Sequence, residues 1–410
     1  MSRLSPYLAA HFAKSQLWHA STLLFVFFLT ERCGLAPVAT GWIMGVSLLA
    51  NGVADIALGR CWQDVRSARS AGRRQAIFAP LAAGCFVLAC ATALLPPPLR
   101  LGWALVTILG FRMTYPLIDV PQNTLVPLLA ATPAAQRRLL AYRNVASQLA
   151  NLAVCVLAAP VLIGFDDDRV YFGWAVAVGA LACAGAVSLA RMPMTDRPPP
   201  VDSDAAADGM VPGYRMLALF LAAMVLAGAT FRTLEPYYAA FAARGTQFLL
   251  WTALGALVAQ PLWIAGAARI GAVRSLIATS IAPAAAALLL LTPLRTTMPG
   301  AAGIAIGFGI GTGALWLALW SAMVVHARQH DAIGRVSGFT GISKAAQGLA
   351  VVMIGHVLDR SDYRRTLIDA ASAPSLLMVV ALSVIAGCCL ALAMLVAAHQ
   401  TVRAPPPSAC

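Results

Sequence analysis

Asn51 to Arg74 reads NGVADIALGRCWQDVRSARSAGRR: an apolar run with a single acid, Asp55, that gives way at Gly59–Arg60 to a short basic loop. A carboxylate facing lipid at mid-bilayer costs on the order of 2.5–3.5 kcal/mol, and less near the interface. Asp55 is therefore expected to face protein or a water-filled cavity. Two readings follow. In one, Asp55 is a gate or interface acid paired with loop arginines. In the other, it belongs to a cation or proton site and needs partners elsewhere, for which Asp119, Arg112, Arg143 and Lys344 are the candidates. Asp64, Arg66, Arg69, Arg73 and Arg74 then form a charged gating loop.

The rest of the chain agrees with a membrane reading. Its 410 residues are 60% hydrophobic and 11% charged, where soluble domains carry about 25% charge. Mean hydropathy is +0.78. The net charge of +13 would point to nucleic acid in a soluble protein. Here the arginines are spread over short loops with no aromatic-interleaved patch, so they act as topology signals and no nucleic-acid partner is expected. Cys85, Cys90, Cys155, Cys183, Cys388 and Cys389 lie inside apolar runs, where cysteine is a small hydrophobe, and neither a metal nor a disulfide framework is expected. The N-terminus has no cleavable signal-peptide pattern.

With roughly 20 apolar residues per span, about twelve spans fit. The first runs from near Lys14 to Thr30, the second over Val38–Gly59, the third over Ala76–Leu95. The fourth, Leu101 to about Ala130, is too long for one straight helix, and Pro116, Pro121 and Pro127 are placed to kink or break it. The fifth covers Val145–Ile163 and the sixth Val170–Leu189. Six more follow from Met216 to Ala398. Residues 191–215 are Pro-, Asp- and Gly-rich and read as a linker. This gives an all-α polytopic membrane protein with a six-helix lobe in residues 1–190, a cytoplasmic linker in 191–215 and a second six-helix lobe in 216–410, as in two-lobed bundles built by duplication. Lys and Arg concentrate in the loops on one side, which puts both termini in the cytoplasm of a bacterial-type inner membrane.

Charges inside spans are functional candidates by default. Arg112 and Asp119 are two turns apart, about 10 Å, so they can line one cavity with partners from other helices, or form separate structural ion pairs. Arg232 and Glu235 are spaced to pair with each other. Lys344 lies about 13 Å deep by helical rise and calls for a carboxylate, Asp55 or Asp119. His19, His326 and His356 read as interface histidines near span ends. Trp18, Trp42, Trp103 and Trp174 read as interface anchors, one of which can stack on a sugar ring.

These residues resemble a family. Asp55-xxx-Gly59, Asp64 and the run Arg66 to Arg74 resemble the signature after the second span of the glycoside–pentoside–hexuronide:cation symporters, the melibiose-permease branch of the major facilitator superfamily. Asp119-Val120-Pro121-Gln122-Asn123-Thr124-Leu125-Val126-Pro127, Arg137, Tyr142-Arg143 and Gly334-Arg335-Val336-Ser337-Gly338 before Lys344 continue the likeness in order. The resemblance implies that Asp55 is the second of two cation-binding acids; the first falls at Asn51, which has lost its charge. The Pro usually following is Ile56. Asp119 matches the acid shared by sugar and cation sites, Arg143 a sugar-binding arginine, and Lys344 the lysine beside the cation acids. A first-span sugar-binding acid would fall near Ser15, where there is none. A proton needs only one titratable group beside a cation, so the proton is expected ahead of sodium.

The expectation is a secondary active transporter for a small polar solute. Asp55, Asp119, Lys344 and Asn51 would form the coupling site, and Asp119, Arg143, Arg112, Gln122, Asn123 and Trp18 the substrate site. The alternative is a proton-driven exporter of a metabolite, siderophore or drug; a sensor or scaffold is a third reading. No HExxH or GxSxG set marks an enzyme, no cofactor is expected, and monomer is what the family implies.

Overall fold

In the computed structural model, the described residues are 4–62, 67–130, 132–164, 167–193, 213–242, 245–270, 272–329, 332–368 and 374–403. Asp64 and Arg66 of the loop, and most of the linker (194–212), lie outside them.

Among the described residues, eleven helices are long and apolar enough to cross a membrane. A twelfth of comparable length opens the chain: α1 (Ser5–Leu23), prolonged by Phe25–Phe27 and a π-turn, Phe28–Arg32. The others are α2 (Pro37–Cys61), α3 (Ala68–Cys90), α4 (Pro97–Thr114) with α5 (Pro116–Leu129), α6 (Pro133–Leu157) continuing through Ala159–Ile163, α7 (Asp168–Ala190), α8 (Tyr214–Tyr237), α9 (Gln247–Ile270), α10 (Ala272–Leu290), α11 (Met298–Gln329), α12 (Ala332–Arg360) and α14 (Pro374–Arg403), with the short α13 (Tyr363–Ile368) between the last two. α1 starts at what we call the near end; the far end holds the α1–α2 turn and α13.

Local chemistry explains the punctuation. Pro37, Pro97, Pro116 and Pro133 stand in the first turns of their helices, where the missing N–H costs nothing. Gly34, at φ +70°, makes the left-handed turn after α1. Ser67 caps α3 by accepting from the Ser70 N–H at 3.2 Å, and Thr132 caps α6 by accepting from Ala135 at 3.2 Å. The fourth span breaks at Thr114–Tyr115–Pro116, and Pro121 stays inside α5.

Several spans begin earlier or end later than the apolar runs indicate, among them α3, which starts at Ala68 and not at Ala76. α1 starts at Ser5, not near Lys14; α6 starts at Pro133, not at Val145; and α8 continues to Tyr237, past Phe231. Lys14, Arg143, Arg232 and Glu235 are thus inside helices, and Trp18 and His19 are at mid-helix rather than at span ends.

Each half of the chain packs mainly on itself, and the halves meet along two seams. On the first, α2 lies on α12 backbone to backbone. A Cβ on Gly41 would stand 3.0 Å from the Gly355 Cα, one on Gly52 2.6 Å from the Gly341 carbonyl oxygen, and one on Gly348 2.8 Å from the Gly45 carbonyl oxygen. Small residues permit this close approach. Trp42, Val46, Leu49 and Val53 form the exposed stripe of α2, as a lipid-facing surface requires. The second seam sets α6 against α9 and α11.

Candidate functional site

Between the seams is a cavity of about 230 Å³. Its wall takes Lys14, Trp18 and His19 from α1, Tyr115, Asp119 and Asn123 from the α4–α5 bend, Arg143, Asn144, Ser147, Gln148 and Asn151 from α6, Arg232 from α8, Trp316 and Trp320 from α11, and Ser343, Lys344 and Gln347 from α12. The earlier start of α6 and longer reach of α8 bring Arg143 and Arg232 to this wall. Asp119 and Asn123, one turn apart on α5, face the same void.

Four buried charges form a chain beside it: Lys14, Asp119 and Lys344 line the cavity, and Asp55, bonded to Lys344, does not. The Lys344 ammonium is 2.7 and 2.9 Å from the two Asp55 carboxylate oxygens and 3.2 Å from Asp119 Oδ2. Lys14 donates to Asp119 Oδ1 at 2.5 Å. Asn123 Nδ2 also donates to that oxygen, at 2.9 Å, and Asn123 Oδ1 accepts from Arg143 Nη2 at 2.8 Å. Asp55 is fully buried, and Lys14, Lys344, Asp119 and Arg143 are nearly so. Asp55 and Asp119 belong to the first half and Lys344 to the second, so the contact ties the halves electrostatically. Removing one partner of such a buried pair costs about 3–5 kcal/mol, because the other is left uncompensated.

Aromatic rings complete the site. Trp18 stacks on Tyr115 at 5.2 Å between centroids, with Lys344 5.3 Å from its ring and Arg112 5.1 Å from it. The Arg143 guanidinium lies 4.0 Å from the Trp320 ring centroid. Arg232 pairs with Glu235 at 2.6 Å and donates to Asn151 Oδ1 at 3.0 Å, bridging α8 to α6. His19 shares a 3.0 Å hydrogen bond with Ser147.

Of the expected substrate residues, Asp119, Arg143, Asn123 and Trp18 reach the cavity. Arg112 does not: it is fully buried behind Trp18, and its Nη2 donates to the Ser21 carbonyl at 3.2 Å. Gln122 is buried on another face of α5. Asn51 is fully buried one turn from Asp55, with both amide atoms lacking a hydrogen-bond partner, and it does not line the cavity. Arg69, Arg73 and Arg74, expected in a loop, stand in the first two turns of α3, because Ser67 caps that helix; Arg74 lies over Trp62 at 4.6 Å, while Arg69 and Arg73 are exposed. Of the three histidines, His356 meets Trp42 edge-on and His326 meets Tyr214. Lys14, His11, Asn144, Trp316 and Trp320 were not singled out from the sequence. Lys14 carried the one readable signal, a lysine inside a continuous polar-to-apolar helix.

Toward the far end, polar contacts join the halves. Thr30 and Tyr237 hydroxyls are 2.6 Å apart, and Glu31 accepts from Tyr363 at 2.5 Å and Arg364 at 3.2 Å.

A family profile described as MFS/sugar transport protein matches residues 6–400. A provisionally named glycoside/cation symporter of Escherichia coli (strain K12), YagG, is 24% identical over 180 residues, 42% of this chain and 38% of that protein. The chain thus spans well under half the length of that curated relative. Three solved structures share the fold. The xylose transporter XylE of E. coli, in a partially occluded inward-open conformation, is 11% identical with TM-score 0.67, covering 100% of both chains. The human organic anion transporter MFSD10 is 12% identical with TM-score 0.63, covering 95% of this chain and 98% of that one. A bacterial homologue of the iron transporter ferroportin is 11% identical with TM-score 0.65, covering 98% and 100%.

Proposed function

We propose a function from one premise: the chain belongs to the MFS/sugar transport protein family, and so is a multi-pass membrane transporter of the major facilitator fold. On our reading it is a secondary active transporter that moves a small polar organic solute across the inner membrane by alternating access, coupled to protons. Residues 1–190 and 216–410 act as the two lobes, joined by 191–215, with both termini cytoplasmic. The observation that carries this reading is the Lys14–Asp119–Lys344–Asp55 chain, which spans both halves and reaches the cavity wall at Lys14, Asp119 and Lys344.

The mechanism follows from charge. With Asp55 and Asp119 ionised, Lys344 holds the lobes together and Lys14 holds α1 to α5. A proton on either carboxylate weakens its lysine bond and frees the lobes to rearrange around the cavity. Solute bound at the cavity wall then biases which arrangement is reached. Sodium fits poorly, because each carboxylate already carries an ammonium and the acid one turn before Asp55 is replaced by Asn51. The partial likeness to a glycoside/cation symporter supports coupled uptake of a sugar-like solute.

The test is uptake by cells expressing the protein, offered a panel of sugars, glycosides and small siderophores under an acid-outside or a sodium gradient. We expect accumulation of at least one compound with the proton gradient, abolished by a protonophore. Accumulation driven by sodium alone with the protonophore present contradicts proton coupling; depletion from the cells means export.

A further inference from the structure

We propose that the near end of the α2–α12 seam holds an anionic phospholipid, its phosphate on Arg60 and Arg335 and one acyl chain along the outer face that the two helices share. The site is separate from the transport cavity and independent of its cargo. On the reading above the near end faces the cytoplasm, where the leaflet carries acidic lipids.

A second cleft, of about 310 Å³, opens at this end. It lies between Gly59 and Arg60 at the end of α2, Arg335 and Gly338 at the start of α12, and Tyr214 at the start of α8. Gly59 packs on Ser337 so closely that a Cβ would overlap its side chain, which brings the two arginine-bearing ends together. Arg60 is exposed and Arg335 half-buried. The Arg335 guanidinium lies 4.5 Å from the Tyr214 ring centroid, and the Tyr214 hydroxyl donates to the Arg335 carbonyl at 3.0 Å. The ring holds the guanidinium by its face and leaves the edge donors, which suit a phosphate, open. Among the described residues neither arginine has a carboxylate partner. Arg335 also stands at the wrong end of its helix: a cation in the first turn meets the positive end of the dipole, where the first N–H groups lack intrahelical acceptors. An anion in the cleft answers both arginines and that helix end together.

The groove leading away from the cleft selects a lipid over a soluble anion. Arg60, Val53 and Leu49 share one face of α2, and Arg335, Ile342 and Leu349 share one face of α12, by helical spacing. The helices are antiparallel and meet on their glycines, so both faces lie on the same side of the seam. Leu49, Val53 and Leu349 are exposed and Ile342 is half-buried. Arg60 to Leu49 is about 16 Å by helical rise, half of a hydrocarbon core of roughly 30 Å. That length fits one acyl chain in one leaflet, with its headgroup level with the arginines. A choline headgroup fits poorly, because it sets a cation beside two others. Arg60 belongs to the first half and Arg335 to the second, so the bound lipid clamps the halves at this end.

The purified full chain in a neutral detergent is titrated with dioleoyl phosphatidylglycerol or dioleoyl phosphatidylcholine, and bound lipid is counted by native mass spectrometry. The wild type should prefer phosphatidylglycerol by about thirtyfold, the strength of two cationic side chains at a lipid surface. Arg60→Gln and Arg335→Gln should each weaken its binding about fivefold, and the double variant should lose the preference. Arg73→Gln with Arg138→Gln removes the same charge from exposed near-end positions outside the cleft; this pair should change binding by less than about twofold. Unfolding temperatures without added lipid confirm that each variant is folded. The proposal is overturned if the wild type does not prefer phosphatidylglycerol, if the preference survives in the double variant, or if the control pair loses it equally. Displacement of the lipid by inorganic phosphate or glycerol 1-phosphate at the same concentration would also overturn it, since the cleft would then be a site for free phosphate.

Discussion

The two seams between the halves are built on opposite principles. Along α2–α12, glycine meets glycine, backbone touches backbone and there is no room for a solute. Along α6–α9–α11, Arg143, Asn144, Gln148 and Asn151 line a void together with Thr252, Ala256, Trp316 and Trp320. The glycine seam sets the register that delivers Lys344 to Asp55. The polar seam holds the groups that can meet cargo. On the proposed mechanism the first is the pivot and the second the site.

The same substitution on the two sides breaks or sharpens this contrast. Gly52→Ala puts a methyl 2.6 Å from the Gly341 carbonyl oxygen, which is backbone and cannot rotate away. Overpacking of this kind costs about 1–3 kcal/mol, and the helices must part where Lys344 meets Asp55. Transport should fall by about tenfold or more, with a lower unfolding temperature. Gly228→Ala, at the cavity wall, adds a Cβ with nothing within 4 Å; transport should stay within about twofold. Equal losses in the two variants would refute the division of labour.

A modest effect belongs to the far-end latch. Glu31 is buried, but the Arg364 side chain that bonds it is 56% exposed, and exposed ion pairs contribute about 0–1 kcal/mol. Glu31→Gln should change the transport rate by no more than about threefold, and less in high salt. Burial and the adjacent Glu31 carboxylate push the Tyr363 phenol well above its ordinary range. It stays protonated as a donor, so the latch should show no titration step from this group between roughly pH 6 and 9. A step there that vanishes in Tyr363→Phe would contradict it.

How far the chain could be read without coordinates follows from what hydropathy measures. It finds residues that face lipid, so α2, α7 and α14 are legible almost to their ends. It clips α1, α6 and α8, because their polar turns face a cavity and never meet lipid. Those clipped turns hold Lys14, Arg143 and Arg232. Trp18 and His19 read as lying near a span end for the same reason. The Lys344 partnership with Asp55 and Asp119 was legible, since a deep ammonium requires a carboxylate and few were available. The faces of α4 and α5 were not: Asp119 and Asn123 reach the void while Arg112 and Gln122 do not, and only the packing of these helices against α1 shows it. The glycines of α2 and α12 are plain in the sequence, but only their register shows that they oppose one another.

The central claim is that the Asp119 carboxylate couples ion to solute, and its most direct test separates coupling from movement. Wild type and Asp119→Asn are reconstituted in liposomes, and two rates are measured with the solute that the uptake panel identifies: uphill accumulation under an acid-outside gradient, and exchange of labelled for unlabelled solute with no gradient. The account predicts that Asp119→Asn inserts normally and loses uphill accumulation, while exchange persists at a measurable rate. Near-normal uphill accumulation by Asp119→Asn would contradict it.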